Sequence, residues 1–308
     1  MHQDQEKRKK ISLRAGFLVS QNNRTAAQPA KPPAPAQPMP IKYYAIKQKL
    51  SVNSPIWENL QTIIHMRKIG FSHGCAFKLT DPYAESNINV FKSCGCNAIE
   101  INCHSVRELE KFDGLMGILD DFEYKSIHLP VGMKYKNDRA THSVLESIAS
   151  YYKKIGASLA VVHPDLVDDW RIFDRYASVA WAIENMDDRK KTFKGADDLK
   201  RFFTNHENWH LVLDVGHCNA NDKSMALADC LISEFKNRIK EMHLSGYTTF
   251  HDPLYRTEQV EIIERCKNLD VPIIIESTFE QLDGIEGVSK EFKYILKHLN
   301  TPPITSSH

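Results

Sequence analysis

Six strand-like runs in this 308-residue chain end on a side chain that can bind a cation or move a proton. They end at His128, His163, Glu184, Asp214, His243 and Glu276, with successive spacings of 35, 21, 30, 29 and 33 residues. His217 follows Asp214 by three residues, and the adjacent pair His251 and Asp252 follows His243 closely. A buried charge is costly unless it is paired or bound to metal. Taken singly, such a His is more often a hydrogen-bonded core residue, and such a Glu a helix cap or ion-pair partner. Six in succession at similar spacing are different. Brought together without a cation, they would leave several buried charges uncompensated. Carboxylate and imidazole donors suit Zn, Mn, Co or Mg, and a His-rich set favours Zn or Mn over Mg.

A repeat of about 30 residues per polar strand end implies a repeating unit that positions it. From Met66 onward strand-like and helix-like segments alternate, with expected strands at 67–73, 98–104, 124–130, 158–164, 180–187, 209–217, 239–245 and 271–277. Between them lie amphipathic stretches such as "DRATHSVLESIASYYKKIG", where Val144, Ile148 and Tyr151 fall at helical spacing and Gly156 reads as a C-cap. Eight βα units in about 240 residues is the count and size of a (β/α)8 TIM barrel. A doubly wound sheet would place a glycine-rich phosphate loop after its first strand, and "GFSHGCAF" lacks that fingerprint. In a barrel all eight C-terminal strand ends meet at one mouth, so the polar residues should converge.

Outside the barrel, residues 1–40 include the proline-rich "AAQPAKPPAPAQPMP" and are expected to be a disordered tail. Residues 41–65 read as an extension or short helix, 66–300 as the barrel, and 301–308 as a C-terminal tail. Met66 could itself begin the folded chain. Lys and Arg total 40 against 39 Asp and Glu, so no global field recruits nucleic acid or an anionic membrane. Seven cysteines, an odd number with no secretory signal before them, suggest reduced thiols and a cytoplasmic location. The longest apolar runs are too short to cross a bilayer.

The ordered set "SIHLP", "VVHPD", "AIENMD", "LDVGH", "EMHLS", "HDPL" and "IIIES" resembles the xylose-isomerase-like TIM barrels over roughly residues 67–298. That superfamily includes sugar and sugar-phosphate isomerases and epimerases, and endonuclease IV. Resemblance to the isomerase and epimerase branch implies one divalent metal on Glu184, Asp214, His243 and Glu276, with His217 contacting substrate. Resemblance to endonuclease IV implies that His128, His163 and His217, with His251 and Asp252, join them around a zinc cluster. Here the chain departs from the nuclease pattern, because that family carries an Asp-x-His pair where this chain has adjacent His251 and Asp252.

Two chemistries follow. In the first, a cation polarises the carbonyl of an open-chain sugar and stabilises an enediolate, while Glu184 and Glu276 move the proton and His217 assists. Glu100, His104, His128 and His163 would line the substrate pocket. In the second, clustered metals hydrolyse a phosphodiester at an abasic site in DNA. The near-neutral charge and short loops disfavour it; "MKYKNDR" after the third strand is the best basic candidate, and it reads more readily as a solvated charge run. A third reading, a barrel that binds without catalysing, leaves the ligand set unexplained. A small sugar-like molecule is the expected partner, DNA only under the alternative, with no membrane and a possible homodimer. Trp170, Phe250 and Tyr255 are pocket walls or ordinary packing.

Overall fold

The computed structural model describes residues 67–301 except Asn268. The expected tail at 1–40, the extension at 41–65, the start at Met66 and residues 302–308 of the C-terminal tail lie outside the described residues.

Eight parallel strands close into a barrel in simple sequence order. They are β1 (Ile69–Ser72), β2 (Ala98–Asn102), β3 (Tyr124–His128), β4 (Leu159–Val162), β5 (Trp181–Glu184), β6 (His210–Asp214), β7 (Ile239–Leu244) and β8 (Ile273–Ile275). α-Helices of seven residues or more pack around them. These are α1 (Glu85–Cys94), α2 (Arg139–Ile155), α3 (Ala196–Asn205), α4 (Val215–Asn221), α5 (Ala226–Phe235), α6 (Val260–Cys266) and α7 (Glu286–Asn300). The β4–β5 link contains only 3-10 segments, Pro164–Leu166 and Trp170–Tyr176. The barrel expectation is met.

Period-two alternation sorts each strand into two faces. Outward residues such as Phe71, Ile101, Ile183, Leu213 and Met242 join the helices in the main core. Phe71, for example, stacks on Phe91 of α1 at 5.0 Å. Inward residues from β4, β5 and β6 form a small separate apolar cluster of Leu159, Val161, Ala182 and Val212. Barrel interiors are ordinarily filled by such branched aliphatics. Across from this cluster the interior is polar, with Glu100 on β2, Ser126 on β3 and Glu241 on β7 all fully buried.

Two local expectations need correction. The strand expected to run to His217 stops at Asp214, because the Asp214 carboxylate caps α4 by accepting from His217 N at 2.7 Å. His217 therefore stands on the first turn of a helix. Helix α2 buries Thr141, Leu145, Ile148, Tyr151 and Ile155, so its core stripe runs through Leu145, with Val144 only partly covered. Gly156 does end it, in left-handed geometry at φ 65°.

Candidate metal centre

Closure of the barrel brings the ends of β5, β6, β7 and β8 together. Glu184 and Asp214 are the last residues of their strands, His243 is paired in register with Asp214, and Glu276 directly follows β8. One donor atom from each of the four lies within 4.8 Å of the others. His243 Nδ1 is 3.5 Å from both Glu184 Oε1 and Glu276 Oε2. Glu184 Oε1, Asp214 Oδ2 and His243 Nδ1 are buried and make no hydrogen bond. Each lost partner in such a position is expensive, and a divalent cation would satisfy all three at once. The residues fit a metal ion.

Glu184 Oε2 faces a second group. His163 Nε2 lies 3.1 Å from it and His128 Nε2 3.4 Å, and these three residues also could hold an ion. His128 Nδ1 donates to Leu129 O at 3.0 Å, which turns Nε2 toward the carboxylate. In the metal-free protein the electrostatics are correspondingly distorted. Burial opposes charge on Glu184, yet His128 and His163 at its other oxygen and the nearby His243 ring hold it well below the usual carboxylate range. Burial lifts Asp214 to about 7. Burial would lower His128, but its hydrogen bond to Glu184 carries it to about 9.

His217 points into the same space. Its Nδ1 contacts Asn185 O at 2.8 Å, and a carbonyl can only accept, so Nδ1 carries a proton and in the neutral ring Nε2 is the acceptor. That Nε2 lies 3.4 Å from Asp214 Oδ2. His251 bonds Ser245 Oγ at 3.0 Å and stands 3.8 Å from Glu276. Asp252 is turned away: its carboxylate accepts from Thr248 N at 3.0 Å, Thr248 Oγ1 at 2.8 Å and Thr249 N at 2.6 Å, within its own loop. Glu100 was expected on the substrate wall but is sealed beneath His243, 3.3 Å from its Nε2. His104 does reach the pocket.

The cavity above these groups is about 650 Å3, within the range of small-molecule sites. Its inner wall includes His128, His163, Glu184, His217, His251 and Glu276. Phe77, Val131 and Phe250, all exposed, border it farther out. The Arg and Lys side chains on its lining are both engaged: Arg189 with Asp187, over the Phe250 ring at 4.0 Å, and Lys190 with Asp165 at 2.7 Å. Trp170 packs against Phe202 at 4.6 Å, and Tyr255 bonds Asp283, so neither is a pocket wall.

No protein-family model and no curated protein matches the chain. Solved structures do. D-allulose 3-epimerase from Methylomonas sp. aligns at 14% identity over 76% of this chain and 98% of that one, with a TM-score of 0.55. The 3-keto-D-glucoside 4-epimerase of E. coli aligns at 12% identity over 75% and 99%, with a TM-score of 0.53. Endonuclease IV from Thermus thermophilus aligns at 18% identity over 69% and 93%, with a TM-score of 0.50. What these structures share with the chain is the fold, a closed barrel of eight parallel strands. An epimerase and a nuclease share this barrel, so activity has to be argued from side chains. Among the described residues no helix is long and apolar enough to cross a membrane.

Sequence reasoning missed Asn185 and Glu241. Asn185 Oδ1 accepts from Asp214 N at 2.8 Å and its Nδ2 donates to Asp214 O at 2.9 Å, bracing the neighbouring strand end. Glu241 lies two residues before His243, and strand parity alone puts both on the inner face.

Proposed function

We propose that the chain is a divalent-metal-dependent isomerase or epimerase of a small, uncharged, sugar-like substrate. The observation that carries this is the convergence of unpartnered Glu184 Oε1, Asp214 Oδ2 and His243 Nδ1, beside Glu276, under a cavity of about 650 Å3. A cation held by these four would polarise a substrate carbonyl and favour negative charge on its oxygen. The protein's own groups do the rest. Glu276, with 12% of its side chain exposed, and Glu184 both border the cavity and are placed to take a proton from the carbon beside that carbonyl and return it. His217 Nε2 accepts from a substrate hydroxyl, with Asn185 fixing the tautomer. Phe77, Val131 and Phe250 shield the reacting end from bulk water.

The pairing of Arg189 and Lys190 favours a neutral substrate over a sugar phosphate, because a phosphate would have to compete with Asp187 and Asp165 for them. It also weighs against a nucleic-acid backbone, whose binding draws on uncommitted cations.

A second reading, an abasic-site phosphodiesterase, is favoured by one specific observation. Glu184 presents its other oxygen to His128 and His163, and these three residues could hold a further cation, which would suit phosphodiester hydrolysis. The two readings separate in one assay. Protein loaded with Mn2+ or Zn2+ is incubated in D2O with a panel of neutral ketoses and aldoses, and in parallel with a duplex containing an abasic site. Solvent deuterium appearing at the substrate carbon, with the duplex intact, supports the isomerase. Cleavage of the duplex without sugar exchange would overturn it in favour of the nuclease.

A further inference from the structure

We propose that Glu100 and Glu241 form a two-carboxylate brace beneath the cation group, holding His243 from inside the barrel so that Nδ1 keeps its lone pair toward the ion. The proposal rests on the metal-site reading of Glu184, Asp214, His243 and Glu276, and is independent of which reaction the site performs.

His243, Glu100 and Glu241 are each 0% exposed. The two ring nitrogens of His243 face opposite ways. Nδ1 looks up to Glu184 and Glu276, each at 3.5 Å, while Nε2 looks down to Glu241 Oε1 at 3.1 Å and Glu100 Oε2 at 3.3 Å. Nε2 has a hydrogen-bond partner in Glu241 Oε1 whereas Nδ1 has none, so in the neutral ring the lower nitrogen is the one placed to carry the proton. The upper nitrogen is then the Lewis base. A histidine that binds metal through one nitrogen commonly gives its other N–H to a carboxylate, which fixes the ring and strengthens it as a donor.

The placement of the two glutamates is hard to explain otherwise. They come from β2 and β7, which are not neighbours in the barrel, and meet inside it. At this level β4, β5 and β6 supply Leu159, Val161, Ala182 and Val212, the ordinary filling of a barrel core. Glutamates in that layer give up hydration for few contacts. Both oxygens of Glu100 and Oε2 of Glu241 make no hydrogen bond. The ionisable side chain that both carboxylates contact is His243. Glu241 Oε1 accepts from Nε2 while Glu100 Oε2 stands against the same nitrogen from another strand, and contacts on two sides restrict rotation of the ring, whereas one would leave it a hinge.

The same three residues could instead hold an ion of their own, with Nε2 as a ligand. The test distinguishes the two. The full chain and its Glu100→Gln/Glu241→Gln variant are stripped of metal and titrated with Mn2+ or Zn2+ by chelator competition. Ions bound per chain at saturation and the melting temperature of each metal-free protein are also measured. The brace predicts affinity lower by about 10- to 100-fold, an unchanged ion count and a metal-free melting temperature that does not fall. Affinity within twofold of wild type would overturn it, as would a variant that loses one bound ion per chain. If the variant fails to fold, 15N NMR of the metal-loaded wild type decides: His243 with its proton on Nε2 and a metal-shifted Nδ1 is expected, and a metal-loaded ring that keeps a proton on Nδ1 and binds through Nε2 contradicts the brace. Wild-type protein that binds no divalent cation ends the metal-site reading and the brace together, whereas wild-type binding with an unaffected variant ends the brace alone.

Discussion

Asn185 grips Asp214 through both backbone groups and orients His217 through its own carbonyl, although it contributes no atom to the four-residue group. Replacing it by Leu removes both of these buried hydrogen bonds. Asn185→Leu is expected to destabilise the metal-free protein by on the order of 2 kcal/mol in urea and to weaken cation binding as well. An unchanged midpoint and affinity would show the brace on Asp214 to be idle. His73 gives a pH signature. Burial drives it down to about 3, and its Nδ1 accepts from Asn102 N at 3.0 Å, so it is neutral in the folded state. Its ordinary value is about 6.5. The stability it contributes is therefore present above pH 6.5 and lost as pH falls toward 3, because the unfolded chain takes up the proton first. His73→Gln should flatten the acid side of the stability profile between pH 6.5 and 4 by up to about 1.4 kcal/mol per pH unit. Identical slopes in both proteins would contradict this. The donors at strand ends were legible in the sequence because charge closing an apolar run is physically anomalous. Asn185 and Glu241 were not, because an amide and an ordinary-looking "KEMH" carry no such anomaly until neighbouring strands are in register.

The junction of β6 and α4 shows where element-level reading fails and why. "LVLDVGHC" continues its apolar alternation past Asp214, yet the carboxylate that faces the site with one oxygen caps a helix with the other. Periodicity reports which residues are buried, and both a strand and a buried helical turn satisfy it. Gly216, on that first turn, has no room for a Cβ, which would stand 2.8 Å from Ser245 O. Gly70 is tighter still. On β1 opposite Ala98, its Cβ would come within 1.6 Å of Ala98 O. Gly70→Ala is expected to push β1 from β2 and cost on the order of 3 kcal/mol or more. A variant with wild-type stability in urea would mean that the strand pair can shift at no cost. Sequence periodicity did identify all eight strands and the cap at Gly156, since βα repeats write both periods and punctuation into the chain.

For the molecule as a whole, the near balance of 40 basic and 39 acidic side chains recurs at the cavity, where Arg189 and Lys190 are already paired. Neutral sugars should therefore bind the metal-loaded protein more tightly than their phosphates in calorimetry; the reverse order would remove the argument for an uncharged substrate. If the four-residue group holds a cation only when folded, loading at 100 times Kd should add about 2.7 kcal/mol of stability. Both statements depend on the ion. The direct measurement is the metal content of the full chain after loading with Mn2+ or Zn2+ and removal of free ion, with Glu276→Gln alongside. The account predicts about one ion per chain or more on the wild type and a clear loss in the variant. No bound ion on the wild type, or full occupancy with full activity in Glu276→Gln, would contradict it.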